Sequence, residues 1–302
     1  MTQFSGIWIP LVTPFVNGEV DYASAQKLAT HMVDKGVNGL VVCGTTGEAS
    51  SLNHVEKTLL LESVLDVVRG RCPVLMGLSG SSTREVASDA REFGKTGIDG
   101  YLMSAPCYVR PSQAGIIEHF RYMAKATNLP IIIYNIPART GVNIEPETIA
   151  ALCKSEQFVA VKECAGLPQL MRLKDTTSCN LLCGDDSLLL ASLKLGGHGA
   201  ITASAHIYPE LFVAMYKLAQ QGKFDPARMI FNRLLPLIQL LFSEPNPAPV
   251  KAALAMQGWI NDELRLPMLP ASTLCKAKLY EVLDRLDALT AINFNGEKAY
   301  AA

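Results

Sequence analysis

The stretch FVAVKE is apolar until it ends in Lys162 and a glutamate, and this lysine is the first candidate for chemistry in the chain. A lysine that ends a strand is ordinarily a solvated residue. Inside a barrel mouth with apolar walls, however, its ammonium would lose hydration, and we expect its pKa to fall. A neutral amine can condense with a ketone or aldehyde to give a Schiff base, whose iminium withdraws electrons from the adjacent carbon.

Residues suited to carboxylate binding or proton transfer follow three other apolar stretches. GTTGE sets Thr45 and Thr46 between glycines, which allows a tight turn whose N–H groups cradle a carboxylate; an ordinary threonine-capped turn is the alternative. Tyr108 and Tyr134 could relay protons, or could be packing residues with a wet hydroxyl. Arg139 offers a planar fork for bidentate carboxylate binding.

Eight apolar stretches alternate with segments of helical period, and together they predict the fold. The stretches are GIWIPLV, GLVVCG, PVLMGLS, GYLMSAP, PIIIYN, FVAVKE, NLLCGD and GAITAS. Continuous apolar runs are typical of parallel strands covered on both faces. Eight strand–helix units predict a fold of the α/β class, the (β/α)8 TIM barrel. Active sites in this fold lie at the carboxyl ends of the strands. A doubly wound sheet is the alternative, but neither GxGxxG nor GxxxxGK[ST] occurs.

Strand signals stop near residue 224, and the remainder has helical periodicity. We therefore predict a barrel catalytic domain over residues 1–223 and a C-terminal helical domain over residues 224–302.

Composition excludes several classes of function. With 27 Lys+Arg, 28 Asp+Glu and no long run of like charge, the chain is not expected to bind nucleic acid. No apolar stretch approaches the roughly 18 residues of a membrane-spanning helix, and the amino-terminal segment lacks a signal-peptide pattern. The eight cysteines lack the spacing of a disulfide framework, so we expect reduced thiols and a cytoplasmic location.

Patterns that could bind a metal or a phosphate are weak. Cys179 and Cys183 have no second pair, and the five histidines form no HExxH motif. Asp185 and Asp186 could bind a hard cation, although capping of the next helix is the favoured interpretation. The glycines of LGGHGAIT precede a strand and form no phosphate loop. We predict no metal and no cofactor.

With GTTGE, YNIPARTG, VKE, GDD and EPNPAPVK in place, the chain resembles the dihydrodipicolinate synthase family of pyruvate-dependent class I aldolases over nearly its whole length. The resemblance implies that Lys162 forms a Schiff base with pyruvate, whose carboxylate is held at Thr45 and Thr46. It also implies that Tyr134 shuttles protons through Thr46 to Tyr108, which comes from the neighbouring subunit.

The resemblance further implies that Arg139 binds the carboxylate of aspartate 4-semialdehyde, and that the backbone carbonyls of Gly184 and Ile201 line that pocket. The implied product is 4-hydroxy-tetrahydrodipicolinate, in lysine and diaminopimelate biosynthesis, and the implied assembly is a homotetramer built as a dimer of dimers. Two alternatives stay open: an aldolase or dehydratase for keto-sugar acids, similar to N-acetylneuraminate lyase, and a binding protein on an aldolase scaffold.

Three positions differ from family members that lysine inhibits. Those members carry asparagine, histidine and tyrosine where this chain has Ser81, Lys57 and Cys107, although His54 and Glu85 are retained. The chain thus lacks an amide donor and an aromatic wall, and it places a cation beside a cationic effector. We expect feedback inhibition by lysine to be weak or absent.

Overall fold

The computed structural model describes residues 4–294, with side chains through residue 288, so residues 1–3 and 295–302 at the ends of the two predicted domains lie outside the described range. Eight parallel strands form a closed barrel, which confirms the predicted fold. In chain order they are β1 Gly6–Pro10, β2 Gly39–Val42, β3 Val74–Leu78, β4 Gly100–Ser104, β5 Ile131–Asn135, β6 Phe158–Glu163, β7 Asn180–Cys183 and β8 Gly199–Ile201. Each strand pairs with its sequence neighbour, and β8 closes on β1.

Helices follow the strands as the helical periodicity predicted. They are α1 Tyr22–Asp34, α2 His54–Val68, α3 Thr83–Phe93, α4 Gln113–Ala124, α5 Pro146–Leu152, α6 Leu167–Thr176, α7 Leu189–Lys194, α8 Pro209–Gln220, α9 Phe224–Leu241, α10 Ala248–Met256 and α11 Thr273–Phe294. Two features were not predicted: a short antiparallel hairpin of Phe15–Val16 with Glu19–Val20, and a helical turn at Pro137–Thr140.

Side-chain caps fix where several of these helices begin. Asn53 accepts a hydrogen bond from the Glu56 backbone N–H at 2.9 Å, and the Glu56 carboxylate accepts one from the Asn53 N–H at 2.9 Å. Ser112 caps α4 with a single bond, since its hydroxyl accepts from the Gly115 N–H at 3.2 Å. Because a cap satisfies N–H groups that the first turn leaves unpaired, each helix begins at a defined residue after its loop.

The pleat of β6 decides which of its side chains enter the barrel. Successive strand residues point to opposite faces, so Ala160 joins the inner cluster, while Val161 packs in the outer core between strands and helices. Lys162 follows Ala160 by two positions and therefore faces inward. Glu163 faces the helical layer.

The sequence suggested no role for Glu163. In the structure its carboxylate joins the end of β6 to neighbouring segments through hydrogen bonds. Its carboxylate accepts hydrogen bonds from Asn135 Nδ2 at 3.0 Å, from the Ala165 N–H at 2.6 Å and from Gln169 Nε2 at 3.1 Å. Burial raises the pKa of Glu163 despite these donors. The residue fixes the end of the strand that carries Lys162.

The C-terminal helices form a layer beside the barrel. Helix α9 buries Leu234, Leu237, Ile238 and Leu241 along one stripe, which is the periodicity of a packed amphipathic helix. Helix α10 is buried along most of its length and includes a fully buried lysine, Lys251. The division at residues 223 and 224 remains a prediction. Lys251 bonds directly to Thr13 and Glu48 in the barrel loops.

The expectation of uniformly reduced cysteines is wrong for one pair. Cys153 and Cys179 form a disulfide, with their Cα atoms 6.0 Å apart. Cys153 follows α5 and Cys179 precedes β7, and these elements flank β6, so the fold brings together residues that are 26 positions apart. The remaining six cysteines are free.

Candidate active site

The carboxyl ends of β5 and β6 bring Lys162 and Tyr134 together. The two residues are directly paired in the register of the neighbouring strands, and Lys162 Nζ lies 4.3 Å from the centroid of the Tyr134 ring. Both are nearly fully buried, at 6% and 7% exposure. The apolar strand thus delivers an amine into the barrel mouth, as the sequence predicted.

The expected lowering of the Lys162 pKa is wrong. Burial does lower it, as expected, but the nearby Tyr134, Cys164 and Asp186 side chains attract the ammonium in their ionised forms, and they outweigh that effect, so the pKa is raised. The ring face beneath the nitrogen also favours the ammonium. Lys162 therefore rests as an ammonium, and it must lose a proton before it can attack a carbonyl carbon.

Tyr134 and Cys164 also have perturbed pKa values. Burial raises the pKa of Tyr134, and the nearby Lys162 and a hydrogen bond with Thr45 partly offset this rise. Burial also raises the pKa of the Cys164 thiol, to about 12. Both groups are therefore neutral near neutral pH, and Tyr134 can donate a proton through its hydroxyl.

A cavity of about 70 Å³ surrounds the amine and collects most of the predicted site residues. The predicted residues that line it are Thr45, Thr46, Tyr134, Arg139, Lys162, Gly184 and Ile201. A second cavity, of about 210 Å³, shares Thr45, Tyr134 and Arg139 with the first. The small cavity could hold a three-carbon keto acid, and the larger one offers room for a second substrate.

Gly184 leaves space for the lysine side chain. A Cβ atom built on Gly184 would lie 3.0 Å from Lys162 Cε and 2.3 Å from Cys164 Sγ. Any larger residue here would displace the amine. Ile201, the last residue of β8, belongs to the inner apolar cluster and closes the wall beside Gly184.

The GTTGE segment forms the expected tight turn. The Gly47 N–H donates to the Gly44 carbonyl at 3.1 Å, and the Glu48 N–H donates to the Thr45 carbonyl at 3.2 Å. Asn246 Nδ2 donates to Thr46 Oγ1 at 3.1 Å. The Thr46 hydroxyl is thus held by Asn246, while Tyr134 interacts with Thr45.

Arg139 stands at the rim, in the helical turn Pro137–Thr140. Its side chain is exposed and borders both cavities. Among the described residues it has no ion-pair partner closer than 4.0 Å. Its guanidinium is therefore free to bind the carboxylate of a ligand.

Tyr108 is the one predicted site residue that stands apart. Its side chain is 90% exposed, and its backbone is left-handed with φ 70°. It does not border the cavity around Lys162. Within one chain Tyr108 therefore cannot act on the Lys162 cavity.

Sequence reasoning missed the two other polar side chains of the cavity wall, Asp186 and Asn246. Asp185 is the cap, since it accepts a hydrogen bond from the Ser187 N–H at 3.1 Å, whereas its neighbour Asp186 is buried and lines the cavity. Asn246 also lines the cavity, and it belongs to the EPNPAPVK segment that contributed to the family resemblance. Asp186 could have been found from its place directly after a barrel strand, but Asn246 comes from outside the barrel strands.

The described residues contain neither a metal-binding cluster nor a helix that could span a membrane. Across residues 4–288, where side chains are described, no cluster of three histidine, cysteine, aspartate or glutamate residues could bind a metal ion. None of the described helices has both the length and the apolar character to cross a membrane.

A closed (β/α)8 barrel with a buried lysine and tyrosine at its carboxyl mouth defines a barrel enzyme with a lysine-centred cavity. The model of the dihydrodipicolinate synthetase family matches residues 3–286. The chain belongs to this family, and it is a lyase.

Individual relatives agree with this assignment. The chain is 39% identical over 285 residues to 4-hydroxy-tetrahydrodipicolinate synthase of Syntrophus aciditrophicus, covering 93% of this chain and 98% of the relative. The dihydrodipicolinate synthase of Aquifex aeolicus superposes with a TM-score of 0.92 at 37% identity, covering 94% and 98% of the two chains. The chloride-inhibited dihydrodipicolinate synthase of Acinetobacter baumannii, solved with pyruvate, superposes with a TM-score of 0.91 at 32% identity. The match covers 93% of this chain and 98% of that chain.

Proposed function

We propose that this chain condenses pyruvate with L-aspartate 4-semialdehyde, through a Schiff base on Lys162, to form 4-hydroxy-tetrahydrodipicolinate. The observation that carries the proposal is the pairing of buried Lys162 with Tyr134 in a cavity that Thr45, Thr46 and Arg139 also line. The names of the relatives and the pyruvate in the Acinetobacter baumannii enzyme support it. The product belongs to lysine and diaminopimelate biosynthesis.

The proposed reaction begins when the Lys162 amine adds to the keto carbon of pyruvate and water leaves. The turn at Thr45 and Thr46 holds the pyruvate carboxylate. A methyl proton then departs to give an enamine, with Tyr134 carrying protons to and from the reacting atoms. No cofactor is needed, because the iminium itself withdraws electrons.

The enamine carbon then attacks the aldehyde of the second substrate, whose carboxylate pairs with Arg139. The amino group of that substrate displaces Lys162 by transimination, so the ring closes and the free amine returns. Atoms balance, because one water leaves during imine formation and the aldol hydroxyl stays in the product. Gly184 and Ile201 border this pocket and leave their backbone carbonyls as acceptors.

The assembly and the compartment belong to the same proposal. We propose a homotetramer built as a dimer of dimers, in which Tyr108 reaches the site of a neighbouring subunit; its 90% exposure beside Val109, which is 55% exposed, supports an interface there. Sedimentation velocity over a range of concentrations tests the assembly. We propose the cytoplasm as the location, although the bond between Cys153 and Cys179 is more typical of oxidising compartments.

Weak or absent inhibition by lysine is also part of the proposal. Cys107 lines the larger cavity, where it provides a small thiol in place of an aromatic ring. Lys57 and Ser81 supply a cation and a hydroxyl in place of groups that favour an ammonium ligand.

Borohydride reduction in the presence of pyruvate, followed by peptide mass mapping, tests the central step. We expect a reduced pyruvyl adduct on Lys162 and none in a Lys162→Met variant. A parallel sample without pyruvate controls for other modification. An adduct on another lysine, or no adduct in the unmodified enzyme, would refute the mechanism.

A further inference from the structure

We propose that Lys251 of α10 is a positioning residue for the substrate carboxylate, because it fixes the GTTGE turn from outside the cavity around Lys162. The inference rests on the proposed function, since it concerns the turn that holds pyruvate. Lys251 is fully buried, with 0% exposure, and lies outside the barrel strands. It is absent from the lining of the cavity around Lys162, so it acts through the turn and not on the substrate.

Two contacts join Lys251 to the turn. Its Nζ donates to Glu48 Oε1 at 2.7 Å, and to the Thr13 carbonyl at 2.9 Å. Thr13 in turn donates its hydroxyl to the Gly47 carbonyl at 2.6 Å. One ammonium therefore restrains two consecutive residues of the turn, Gly47 through Thr13 and Glu48 directly.

Glu48 is the residue whose position matters most for Thr45. The Glu48 N–H closes the turn by donating to the Thr45 carbonyl at 3.2 Å. Its backbone is left-handed, with φ 50° and ψ 37°, a region that residues other than glycine seldom occupy. Such a conformation persists only where the surroundings enforce it. The bond to Lys251 is one such restraint.

The segment after α10 engages the other oxygen of Glu48. The Arg265 N–H donates to Glu48 Oε2 at 3.3 Å, while the Arg265 guanidinium forms an ion pair with Glu56 at 2.6 Å. Before α10, Asn246 donates to Thr46 Oγ1 at 3.1 Å. The C-terminal segment therefore holds the turn at both threonine and glutamate.

The burial of this ion pair argues for a role in geometry. Two fully desolvated charges stabilise a fold poorly compared with apolar residues of the same size. Methionine would fill the volume of Lys251 beside Phe15, whose ring centroid lies 4.3 Å from Nζ. What lysine adds at this position, and methionine could not, is the pair of hydrogen bonds to Glu48 and Thr13 that restrain the turn.

Steady-state kinetics of Lys251→Met test this role, with Lys278→Met as a control on the exposed surface of α11. A carboxylate is bound in both the ground state and the transition state, so a misplaced turn should raise KM for pyruvate and change kcat little. We expect a rise in KM of about tenfold or more, with kcat within about threefold. The control should match the unmodified enzyme.

Two more variants separate positioning from folding. Glu48→Gln with Lys251→Met removes both buried charges, and Thr13→Val removes the hydroxyl bond to Gly47 without a change of charge. Both should raise KM for pyruvate in protein whose circular dichroism is native. A purely structural role predicts a lower melting temperature with unchanged KM, and that result in any folded variant overturns the inference.

Failure of this inference is distinguishable from failure of the proposed function. Borohydride trapping of the unmodified enzyme reports on Lys162 alone. If that adduct is absent, the proposed function fails, and calorimetric titration of the variants with pyruvate still tests Lys251. If the adduct forms and the variants bind pyruvate with unchanged affinity, only the inference fails.

Discussion

Lys162 and Tyr134 are paired across neighbouring strands, with the amine nitrogen 4.3 Å from the centre of the phenol ring. The contact places a phenol beside the amine, and the ring face also favours the charged form of that amine. Lys162 would therefore have to lose a proton before it could attack a carbonyl carbon.

Arg139→Ala should separate the two substrates. The guanidinium borders both cavities and has no ion-pair partner among the described residues. Its loss should therefore remove charge-assisted hydrogen bonds to the carboxylate of aspartate 4-semialdehyde. We expect kcat/KM for aspartate 4-semialdehyde to fall about 100-fold or more. Trapping of pyruvate on Lys162 should survive.

A panel of keto-sugar acids provides the comparison for Arg139. If the enzyme is instead an aldolase for sugar acids, the Arg139→Ala variant should lose little activity, since binding of the substrate would not depend on the Arg139 guanidinium. Unchanged turnover of a sugar acid by Arg139→Ala, or faster turnover of a sugar acid than of aspartate 4-semialdehyde by the unmodified enzyme, would favour that alternative. Pyruvate trapping without turnover of any aldehyde would instead favour a binding protein.

The pH profile should reflect the raised pKa of Lys162. Only the neutral amine attacks pyruvate, so a raised pKa means that kcat/KM for pyruvate increases with pH, about tenfold per unit while the ammonium dominates. Asp186→Asn removes a buried negative charge that raises this pKa, and the profile should shift to lower pH. Stopped-flow measurement of imine formation gives the profile.

Asp185→Asn is the matched control for Asp186→Asn. Asp185 caps the next helical turn and does not border the cavity around Lys162. The pH profile of the Asp185→Asn variant should therefore coincide with that of the unmodified enzyme. Superimposable profiles for the Asp186 and Asp185 variants would show that Asp186 does not govern Lys162.

Lysine should inhibit the enzyme weakly or not at all. Ser81, Lys57 and Cys107 replace groups that would donate to, or wall in, an ammonium effector. We expect no saturable inhibition below about 10 mM in a coupled steady-state assay with pyruvate and aspartate 4-semialdehyde, given repulsion from Lys57. An inhibition constant in the micromolar to low-millimolar range would contradict this.

The disulfide should be visible by alkylation and mass spectrometry. In denaturant without reductant we expect six modified cysteines, because Cys153 and Cys179 are bonded. Reduction should expose both and lower the free energy of unfolding by about 3 kcal/mol, the loop-closure contribution for such a span. Cys153→Ser should melt at the same temperature with and without reductant. Modification of all eight before reduction would show that the bond does not form.

The sequence by itself determined the barrel and most of its site. Eight continuous apolar stretches predicted the eight strands and their order, because a parallel strand buried on both faces needs apolar residues throughout. Lys162, Tyr134 and Thr45 could be gathered from sequence because they follow those strands directly, and parallel strands share one mouth. Their roles stay predictions.

Only the tertiary structure decided the electrostatics and the support of that site. Burial lowers the pKa of Lys162, whereas Tyr134 and, more weakly, Asp186 raise it, and both are neighbours of Lys162 in space but not in sequence. Lys251 and Glu48 are 203 positions apart, and no local pattern records their bond. Cys153 and Cys179 likewise meet because the fold closes around β6. Such contacts depend on distances in space, whereas periodicity describes only neighbours along the chain.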